Sequence, residues 1–289
     1  MRLKKKCTEL VPVYKLVWSD EFNGDSLDET KWNTAQTRMA DTKELAQSNL
    51  GSVRSVADGK LQLNAMVNPY YNASSDKYFE QHKYMTTGSI TPEQRMSYQY
   101  GYLEVSARLP YKEGCWPSLW LRSHNATNKN TDANFEIEVD VFEVFGSKNT
   151  MAANLHQQNY NGNSGESYQT SVAEKRTFAD ASNLSNEYHT YGFEWTPTKM
   201  AIYVDGELQC EWLLDEESLE SYGLKADTTG FDTTLNILIN NHLFTSSSSY
   251  KTDKNNIIEK YESNLPAEYD IEYVRLYQKN DGLSKLIIG

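Results

Sequence analysis

An alternation of acidic and apolar residues constrains the fold of this chain more than any other feature of the sequence. It occupies the run Glu136-Ile137-Glu138-Val139-Asp140-Val141, which is flanked by Phe135 and Phe142. A period of two is typical of a β-strand that buries apolar side chains on one face and holds polar side chains on the other. The run therefore predicts a strand whose acids converge on one surface of a sheet.

Phe142 occupies the position where alternation would place the next acid, and Glu143 follows one residue late. Glu143 shares a face with Glu138 only if the strand contains a β-bulge, a common means of re-aiming a side chain beside an active site. With the bulge counted as one step, the two Cα atoms lie roughly 13 Å apart. Two Glu side chains that lean together then bring their carboxyl groups to roughly 5 to 6 Å, the spacing associated with retaining glycoside hydrolysis.

Asp140 lies between the two glutamates, and its charge and hydrogen bonds can hold their carboxyl groups in different protonation states. The alternative interpretation is a solvated strand face without chemistry. The three acids occupy positions i, i+2 and i+5, and three phenylalanines lie nearby in the sequence, at positions 135, 142 and 145. This combination favours a functional site over that alternative.

Composition limits the partners of the 289-residue chain. Its net charge of -12 disfavours nucleic acids, anionic membranes and heavily sulfated polysaccharides, and a neutral ligand fits better. The chain has 20 Tyr and 6 Trp residues, whose amphipathic rings suit half-buried sheets and stacking on sugars alike. No apolar run reaches the length of a transmembrane helix.

The cysteines and the first residues of the chain provide evidence about the cellular compartment of the protein. Cys7, Cys115 and Cys210 are too few and too scattered for a disulfide framework, and no ligand-like spacing indicates zinc. The run Met1-Arg2-Leu3-Lys4-Lys5-Lys6 resembles the start of a signal peptide without the apolar region that should follow. Cys7 is interpreted as a free cysteine in a disordered end or as the relic of a lipoprotein attachment site.

Short segments separated by turn residues predict a chain built from many strands. Asp58-Gly59 and Asp205-Gly206 predict hairpins. Residues 214–225 are the best helix candidate, and residues 66–86 indicate a long loop. Evenly spaced short strands favour one β-sandwich over βαβ units. Strands are predicted within residues 14–24 (with the closing turn), 60–65, 88–90, 100–109, 115–121, 135–145, 151–158, 188–195, 200–204, 207–213, 233–240 and 269–278.

The acidic run matches a known signature. Glu138-Val139-Asp140-Val141-Phe142-Glu143 resembles the E-x-D-x-x-E motif of glycoside hydrolase family 16 in its bulged, laminarinase-like form. Trp18-Ser19-Asp20-Glu21-Phe22, Gly114-Cys115-Trp116-Pro117-Ser118-Leu119-Trp120-Leu121 and Tyr273-Val274-Arg275-Leu276-Tyr277-Gln278 look like further landmarks of that family in the same order. The resemblance implies an all-β jelly-roll sandwich of two antiparallel sheets with a concave sugar-binding cleft.

The resemblance also implies a domain division and catalytic roles. Residues 13–279 would form a single catalytic domain between a disordered remnant at residues 1–12 and a tail at residues 280–289. Glu138 would be the nucleophile, Glu143 the acid/base and Asp140 the supporting carboxylate. Catalysis would need no cofactor.

Other side chains are predicted to bind substrate or metal. Trp120 is either a cleft ring or a core ring, and the sequence leaves both interpretations open. Many members of the family bind a structural calcium ion, and the matching positions are Glu21 and Glu272. The predicted substrate-binding residues are Trp116, Trp120, His156, Phe135 and Asn240.

The substrate expected from the resemblance is an oligo- or polysaccharide. Asp132-Ala133-Asn134-Phe135 and Leu238-Ile239-Asn240-Asn241-His242-Leu243 stand where laminarinases carry a Trp-Pro pair and a Gly-rich stretch. We therefore expect cleavage of internal β-galactosyl linkages in lactosamine-type chains of mucin O-glycans, as in gut-bacterial relatives.

Three alternative functions remain open at this point, namely an endo-β-1,3(4)-glucanase, a non-catalytic carbohydrate-binding module and a calcium-dependent adhesion module. Calcium ligands in such a module usually lie on loops and not along a strand. A monomer that is secreted, periplasmic or attached to the cell surface is expected.

Overall fold

The computed structural model describes residues 14–35, 44–47, 51–87, 89–123, 135–145, 151–159, 170–172, 176–178, 183–224, 231, 233–245 and 257–289. The strands are β1 (Tyr14–Asp20), β2 (Asn33–Ala35), β3 (Leu45–Gln47), β4 (Arg54–Ala57), β5 (Lys60–Val67), β6 (Tyr84–Thr86), β7 (Ser89–Thr91), β8 (Met96–Gln99), β9 (Gly101–Arg108), β10 (Cys115–Arg122), β11 (Phe135–Val144), β12 (Met151–Asn159), β13 (Thr170–Val172), β14 (Arg176–Phe178), β15 (His189–Trp195), β16 (Lys199–Val204), β17 (Glu207–Leu213), β18 (Asn236–Leu243), β19 (Ala267–Lys279) and β20 (Lys285–Ile288). The helices are α1 (Tyr78–Gln81), α2 (Glu216–Ser221) and 3₁₀ turns at Asn183–Ser185, Ile258–Lys260 and Glu262–Asn264.

These strands form two large sheets. One has ten strands in the order β17-β16-β15-β9-β19-β5-β6-β3, with β1 beside β19 and β4 beside β5. The other has eight strands in the order β13-β12-β11-β10-β18-β7-β2, with β14 beside β12. Among the described strand pairs, only β3 and β6 run parallel. The all-β prediction is confirmed, and β11, the acidic strand, lies in the eight-stranded sheet beside β10 and β12.

Apolar side chains of the two sheets meet in a large core cluster, and a smaller second cluster contains Tyr84 and Leu243. Ile137 and Val139 of β11 are fully buried in the same cluster as Leu63 of β5. The ring of Phe142 packs against Tyr191 of the opposite sheet with 4.7 Å between ring centroids. Each such burial contributes roughly 1.5 to 3 kcal/mol. The strand that carries the acids is therefore fixed from behind by the core.

Both predicted hairpin turns are present. Asp58 and Gly59 have φ angles of 53° and 72°, and Asp205 and Gly206 have φ angles of 51° and 79°. Two consecutive positive φ angles match the twist of the flanking strands in a two-residue hairpin, which favours Asp-Gly. The first turn joins β4 to β5, and the second joins β16 to β17.

The helix predicted at residues 214–225 is shorter in the structure. α2 begins after Asp215, whose carboxylate caps it by accepting a hydrogen bond from the backbone N–H of Ser218 at 3.0 Å. Tyr222 is the C-cap residue, and Gly223 follows it with a φ of 76°, which ends the helix.

The segment predicted as a loop at residues 66–86 contains regular structure. β5 continues to Val67, α1 lies in the middle, and β6 follows. The side-chain amide of Asn68 joins the two ends of the segment by donating hydrogen bonds to the backbone carbonyls of Phe79 and His82. Four aromatic side chains of this segment are exposed, namely Tyr70, Tyr71, Tyr78 and Phe79.

The end of the chain also differs from its prediction as a tail. β20 pairs with β8 in a separate two-stranded sheet, and Gln278 donates a hydrogen bond to the carbonyl of Lys285 at 2.9 Å. Pairing with β8 could not be expected from residues 280–289 alone, because the partner lies far away in sequence.

Both described cysteines, Cys115 and Cys210, are buried. Burial raises the pKa of Cys115 to about 12, so its thiol stays protonated at neutral pH. Cys7 lies outside the described residues. Within the described ranges, no helix combines the length and the apolarity needed to cross a membrane.

Candidate active site

The predicted bulge in β11 is confirmed. Asp140 pairs with Asn154 of β12, and Glu143 pairs with Ala152, so three steps along β11 correspond to two steps along β12. The pairing of β11 with β10 shows the same irregularity. An extra residue on one strand of an antiparallel pair is the defining feature of a β-bulge.

The bulge determines which way the next side chains point. Val141 and Phe142 are consecutive residues, yet both are completely buried in the core. Glu143 therefore returns to the opposite face, where it lines the same cleft as Glu138 and Asp140. The three acids predicted to share a surface do share it.

Strand β10 provides the floor of this cleft. Trp116, Ser118 and Trp120 follow one another at a period of two, and all three line the cleft. The indole N–H of Trp120 donates to Oδ1 of Asn240 on β18 at 2.7 Å, and the ring remains 8% exposed. Trp120 therefore lines the cleft while being largely buried, and its role as a sugar-binding ring stays a prediction.

Trp116 connects the acids to an aromatic cluster. Its indole N–H donates to Oε1 of Glu143 at 3.0 Å. Its ring lies parallel to that of Phe244, with 4.7 Å between centroids and 2° between planes, and it also contacts Phe145 and His242 at 5.5 Å. Such packing holds the indole, and hence its N–H, in one orientation.

Strand β12 contributes polar groups from the other side. The side-chain nitrogen of Asn154 donates to Oδ2 of Asp140 at 2.8 Å and to Oε2 of Glu143 at 2.7 Å. Nε2 of His156 lies 3.0 Å from Oδ2 of Asp140. His156 is also the register partner of Glu138, so it stands directly beside two of the acids.

The result is an open depression of about 390 Å³ in which negative charge is concentrated. Side-chain nitrogen or oxygen atoms of Glu138, Asp140 and His156 all lie within 4.8 Å of one another. In the part of the chain that the structure describes, no other such cluster is found. The lining residues are Trp116, Ser118, Trp120, Glu138, Asp140, Glu143, Asn240 and His242.

Four of the five predicted substrate-binding residues have described side chains, and all four lie at the cleft. Trp116, Trp120 and Asn240 line it directly, and His156 borders it through Asp140. Phe135 begins β11, but its side chain lies outside the described residues.

Sequence reasoning missed Ser118 and His242, which line the cleft, and the buried Asn154, which bonds two of its acids. Each stands two positions from a predicted site residue on the same strand, as Asn154 does from His156. Period-two spacing was therefore the available indication.

The two predicted calcium ligands have other partners. Both oxygens of Glu21 accept hydrogen bonds from Arg275, at 3.0 and 2.7 Å, and these bonds lower the pKa of Glu21. Glu272 accepts a hydrogen bond from the hydroxyl of Ser106 at 2.7 Å. The guanidinium occupies the place of a cation beside Glu21, so this arrangement does not fit a calcium ion. Calcium binding by the protein is untested, and the pairing of Glu21 with Arg275 argues against it at this place.

Sugars present hydroxyl groups and flat apolar faces, and the cleft offers carboxylates and indole rings to match them. The fold and the cleft fit a glycoside hydrolase. Residues 14–279 match the profile of the family described as "Beta-porphyranase A-D, GH16 domain". The chain belongs to glycoside hydrolase family 16.

Individual relatives act on different sugars. The chain is 25% identical over 278 residues to "Glucan endo-1,3-beta-glucosidase A1" of Niallia circulans, covering 91% of this chain and 38% of that protein. It is 27% identical over 198 residues to "Keratan-sulfate endo-1,4-beta-galactosidase" of Sphingobacterium multivorum, covering 68% of this chain and 42% of that protein. The chain thus spans less than half the length of these two relatives.

A solved structure confirms the fold. It comes from work on endo-acting O-glycanases that members of the human gut microbiota express to initiate mucin breakdown, and it matches with a TM-score of 0.66 at 24% identity. The match covers 93% of this chain and 92% of the other. The predicted jelly-roll sandwich is therefore correct.

Proposed function

We propose that this protein is an endo-acting, retaining glycoside hydrolase in which Glu138 is the nucleophile and Glu143 the acid/base. One observation carries the proposal: the bulge in β11 returns Glu143 to the face that holds Glu138 and Asp140. A solvated strand face has no need of an extra residue there. Two carboxyl groups on one short stretch of strand suit double displacement better than the wider spacing of inverting enzymes.

The reaction has two displacements. In the first, Glu143 gives its proton to the glycosidic oxygen while a carboxylate oxygen of Glu138 attacks the anomeric carbon, so the glycosidic bond breaks and a covalent glycosyl-enzyme forms. In the second, Glu143 takes a proton from water, the resulting oxygen attacks the anomeric carbon, and the bond to Glu138 breaks. Both glutamates end in their starting protonation states.

Asp140 supports both steps without bonding to the sugar. Its Oδ2 accepts a hydrogen bond from Asn154 and lies 3.0 Å from Nε2 of His156, and these contacts fix the carboxylate between the two glutamates. A fixed negative charge at this point opposes ionisation of Glu143 and favours the positive charge that develops on the sugar ring in the transition state.

The remaining cleft residues bind the sugar chain. The rings of Trp116 and Trp120 lie on either side of the small Ser118 on β10 and provide flat surfaces for pyranose rings. Asn240 and His156 offer polar atoms to sugar hydroxyl groups, and the sequence predicts that Phe135 also binds substrate.

We infer that the substrate contains internal β-galactosyl linkages in lactosamine-type chains of mucin O-glycans. The support is the match to a porphyranase profile and to a relative named as an endo-1,4-beta-galactosidase. The net charge of -12 favours neutral stretches of such chains over sulfated ones. These polymers lie outside cells, so the enzyme has to be secreted, periplasmic or at the cell surface to reach them.

A second candidate substrate is a β-1,3(4)-glucan. It is favoured by the similarity to the glucan endo-1,3-beta-glucosidase, which extends over 91% of this chain.

A product profile separates the two candidates. Purified protein is incubated with laminarin, lichenan, agarose, keratan-type chains and mucin glycans, and the products are identified by mass spectrometry. We expect oligosaccharides with galactose at the new reducing end from the lactosamine-type substrates only. Glucose oligomers from laminarin or lichenan alone would establish the glucanase instead, and a Glu138→Gln variant controls for contaminating activity.

A further inference from the structure

The side chain of Asn154 donates hydrogen bonds to two of the three acids. We propose that Asn154 is a positioning residue that controls the protonation and orientation of Glu143 by bonding it and Asp140 through one amide nitrogen. The inference rests on the proposed role of Glu143 as the acid/base.

Asn154 links the carboxyl groups of Asp140 and Glu143 by donating a hydrogen bond to each. Its side chain is 3% exposed, and its Nδ2 atom donates to Asp140 at 2.8 Å and to Glu143 at 2.7 Å. Asn154 pairs with Asp140 in register, and the register shift follows immediately on β11. Asn154 is therefore directly opposite the bulge, where the spacing between the two acids departs from that of a regular strand.

An amide suits this place for a specific reason. Two carboxylates that share one neighbour repel each other, and a side-chain NH₂ group has two hydrogens, one for each of them. Because the amide is neutral, it favours the ionised form of Glu143 less than a lysine would. Glu143 can then be both ordered and protonated, as an acid catalyst must be.

Several other groups face Glu143. Trp116 of β10 donates to its Oε1, so the two oxygens of Glu143 receive donors from strands on opposite sides. The titratable groups around it are Glu138 and Asp140 on its own strand, His156 on β12 and His242 on β18. Removal of Asn154 takes away the amide nitrogen that bonds Oε2 of Glu143 and Oδ2 of Asp140 together.

The variant Asn154→Leu keeps the approximate volume of the side chain and removes the donor. Loss of a hydrogen bond to the ionised form makes Glu143 hold its proton to higher pH, by about one pH unit. The alkaline limb of the kcat/KM profile should move by the same amount, and kcat should fall about 10-fold because Glu143 is no longer held in place. Asn154→Ser, which restores one hydroxyl donor, should show a smaller shift.

Asn241 on β18 provides a matched control. It is also a fully buried asparagine whose Nδ2 donates two hydrogen bonds, at 3.0 and 2.9 Å, but the acceptors are the backbone carbonyls of Leu63 and Ala267. Asn241→Leu should therefore lower stability by a comparable amount without moving the titration of Glu143. A merely structural role of Asn154 would make the two variants behave alike.

The decisive readout does not depend on turnover. Protein labelled with ¹³C at the glutamate carboxyl groups is titrated by NMR, and Glu143 is assigned as the resonance that disappears in Glu143→Gln. We expect the titration midpoint to rise in Asn154→Leu, to rise less in Asn154→Ser and to stay in place in Asn241→Leu.

An unmoved midpoint in Asn154→Leu, or an equal movement in Asn241→Leu, would overturn the inference. If Asn154→Leu fails to fold, the comparison of Asn154→Ser with the parent protein decides in the same way. Inactivity of the parent protein on every polysaccharide would count against the proposed function, whereas the NMR titration would still test the bridge.

Discussion

Trp116 and Glu143 lie on neighbouring strands, and the indole N–H of Trp116 donates to Oε1 of the carboxyl group at 3.0 Å. The same indole ring is stacked on Phe244 with 2° between the ring planes. One tryptophan thus both lines the cleft and bonds the proposed acid/base, so we expect sugar binding and proton transfer to be coupled through this side chain.

Replacement of Trp116 by phenylalanine tests this coupling. The variant keeps a ring against Phe244 but loses the hydrogen bond to Glu143, and we expect kcat to fall about 10-fold with a smaller change in KM. Trp120→Phe is the matched control, because its N–H bonds Asn240 and not an acid. Steady-state kinetics on the preferred polysaccharide measure both variants, and an unchanged kcat in Trp116→Phe would contradict the coupling.

The two glutamates can be distinguished by the leaving group of the substrate. Glu138→Gln and Glu143→Gln should each lower turnover of a polysaccharide by at least about 10³-fold with the fold intact. An aryl glycoside with an acidic phenol as leaving group needs no proton, so Glu143→Gln should form the glycosyl-enzyme from it while Glu138→Gln should not. Burst kinetics detect this step, and the reverse pattern would exchange the two roles. Asp140→Asn should be less severe than either.

The acidic strand and its bulge could be predicted because both follow from the order of residues within one short segment. Apolar residues alternate with acids up to Val141, and the delay of Glu143 by one residue has few structural solutions once Glu143 must share the acidic face. The position of Asn154 could not be predicted in the same way. It depends on β12 lying beside β11 in a particular register, which is a property of the whole sheet.

Two other strand pairings that were not predicted have the same origin. The pairing of β20 with β8 and the parallel pairing of β3 with β6 join segments far apart in sequence, so no local pattern reveals them. The helix at residues 214–225 was overestimated because the acidic and polar residues around α2 favour a helix, while Gly223 ends it early.

Asp270 connects stability to pH. Its fully buried carboxylate lies 3.0 Å from Nζ of Lys60 and also pairs with Arg108. Burial would raise the pKa of Asp270, but hydrogen bonds from Gln62, Lys60 and Arg108 outweigh it and hold the pKa below its usual value. A depressed pKa in the folded state stabilises the protein above the unfolded-state pKa of about 3.9, and this contribution is lost as the pH falls through the folded-state value.

Asp270→Asn should therefore destabilise the protein by about 3 kcal/mol at pH 7 and weaken the loss of stability below about pH 4. Urea unfolding at several pH values measures both effects. Glu80→Gln removes an exposed partner of Lys77 and serves as the control, since exposed pairs contribute little. Equal stability of Asp270→Asn and the parent protein at pH 7 would contradict this role of the ion pair.

Calcium removal tests the two glutamates outside the cleft. Because Arg275 neutralises Glu21, we expect a chelator to leave the melting temperature unchanged. A fall in the melting temperature that added calcium reverses, and that Glu272→Gln abolishes, would instead establish the calcium site that the sequence predicts at Glu21 and Glu272.

The stereochemistry of the first product tests the central claim most directly. If Glu138 attacks the anomeric carbon and water completes a second displacement, the configuration is inverted twice and a β-linked substrate first yields the β-anomer. Proton NMR of the anomeric region in the first minutes of hydrolysis, before mutarotation, distinguishes the two products. Initial appearance of the β-anomer is the expected result, and initial appearance of the α-anomer would contradict nucleophilic attack by Glu138 and the carboxyl spacing on which it depends.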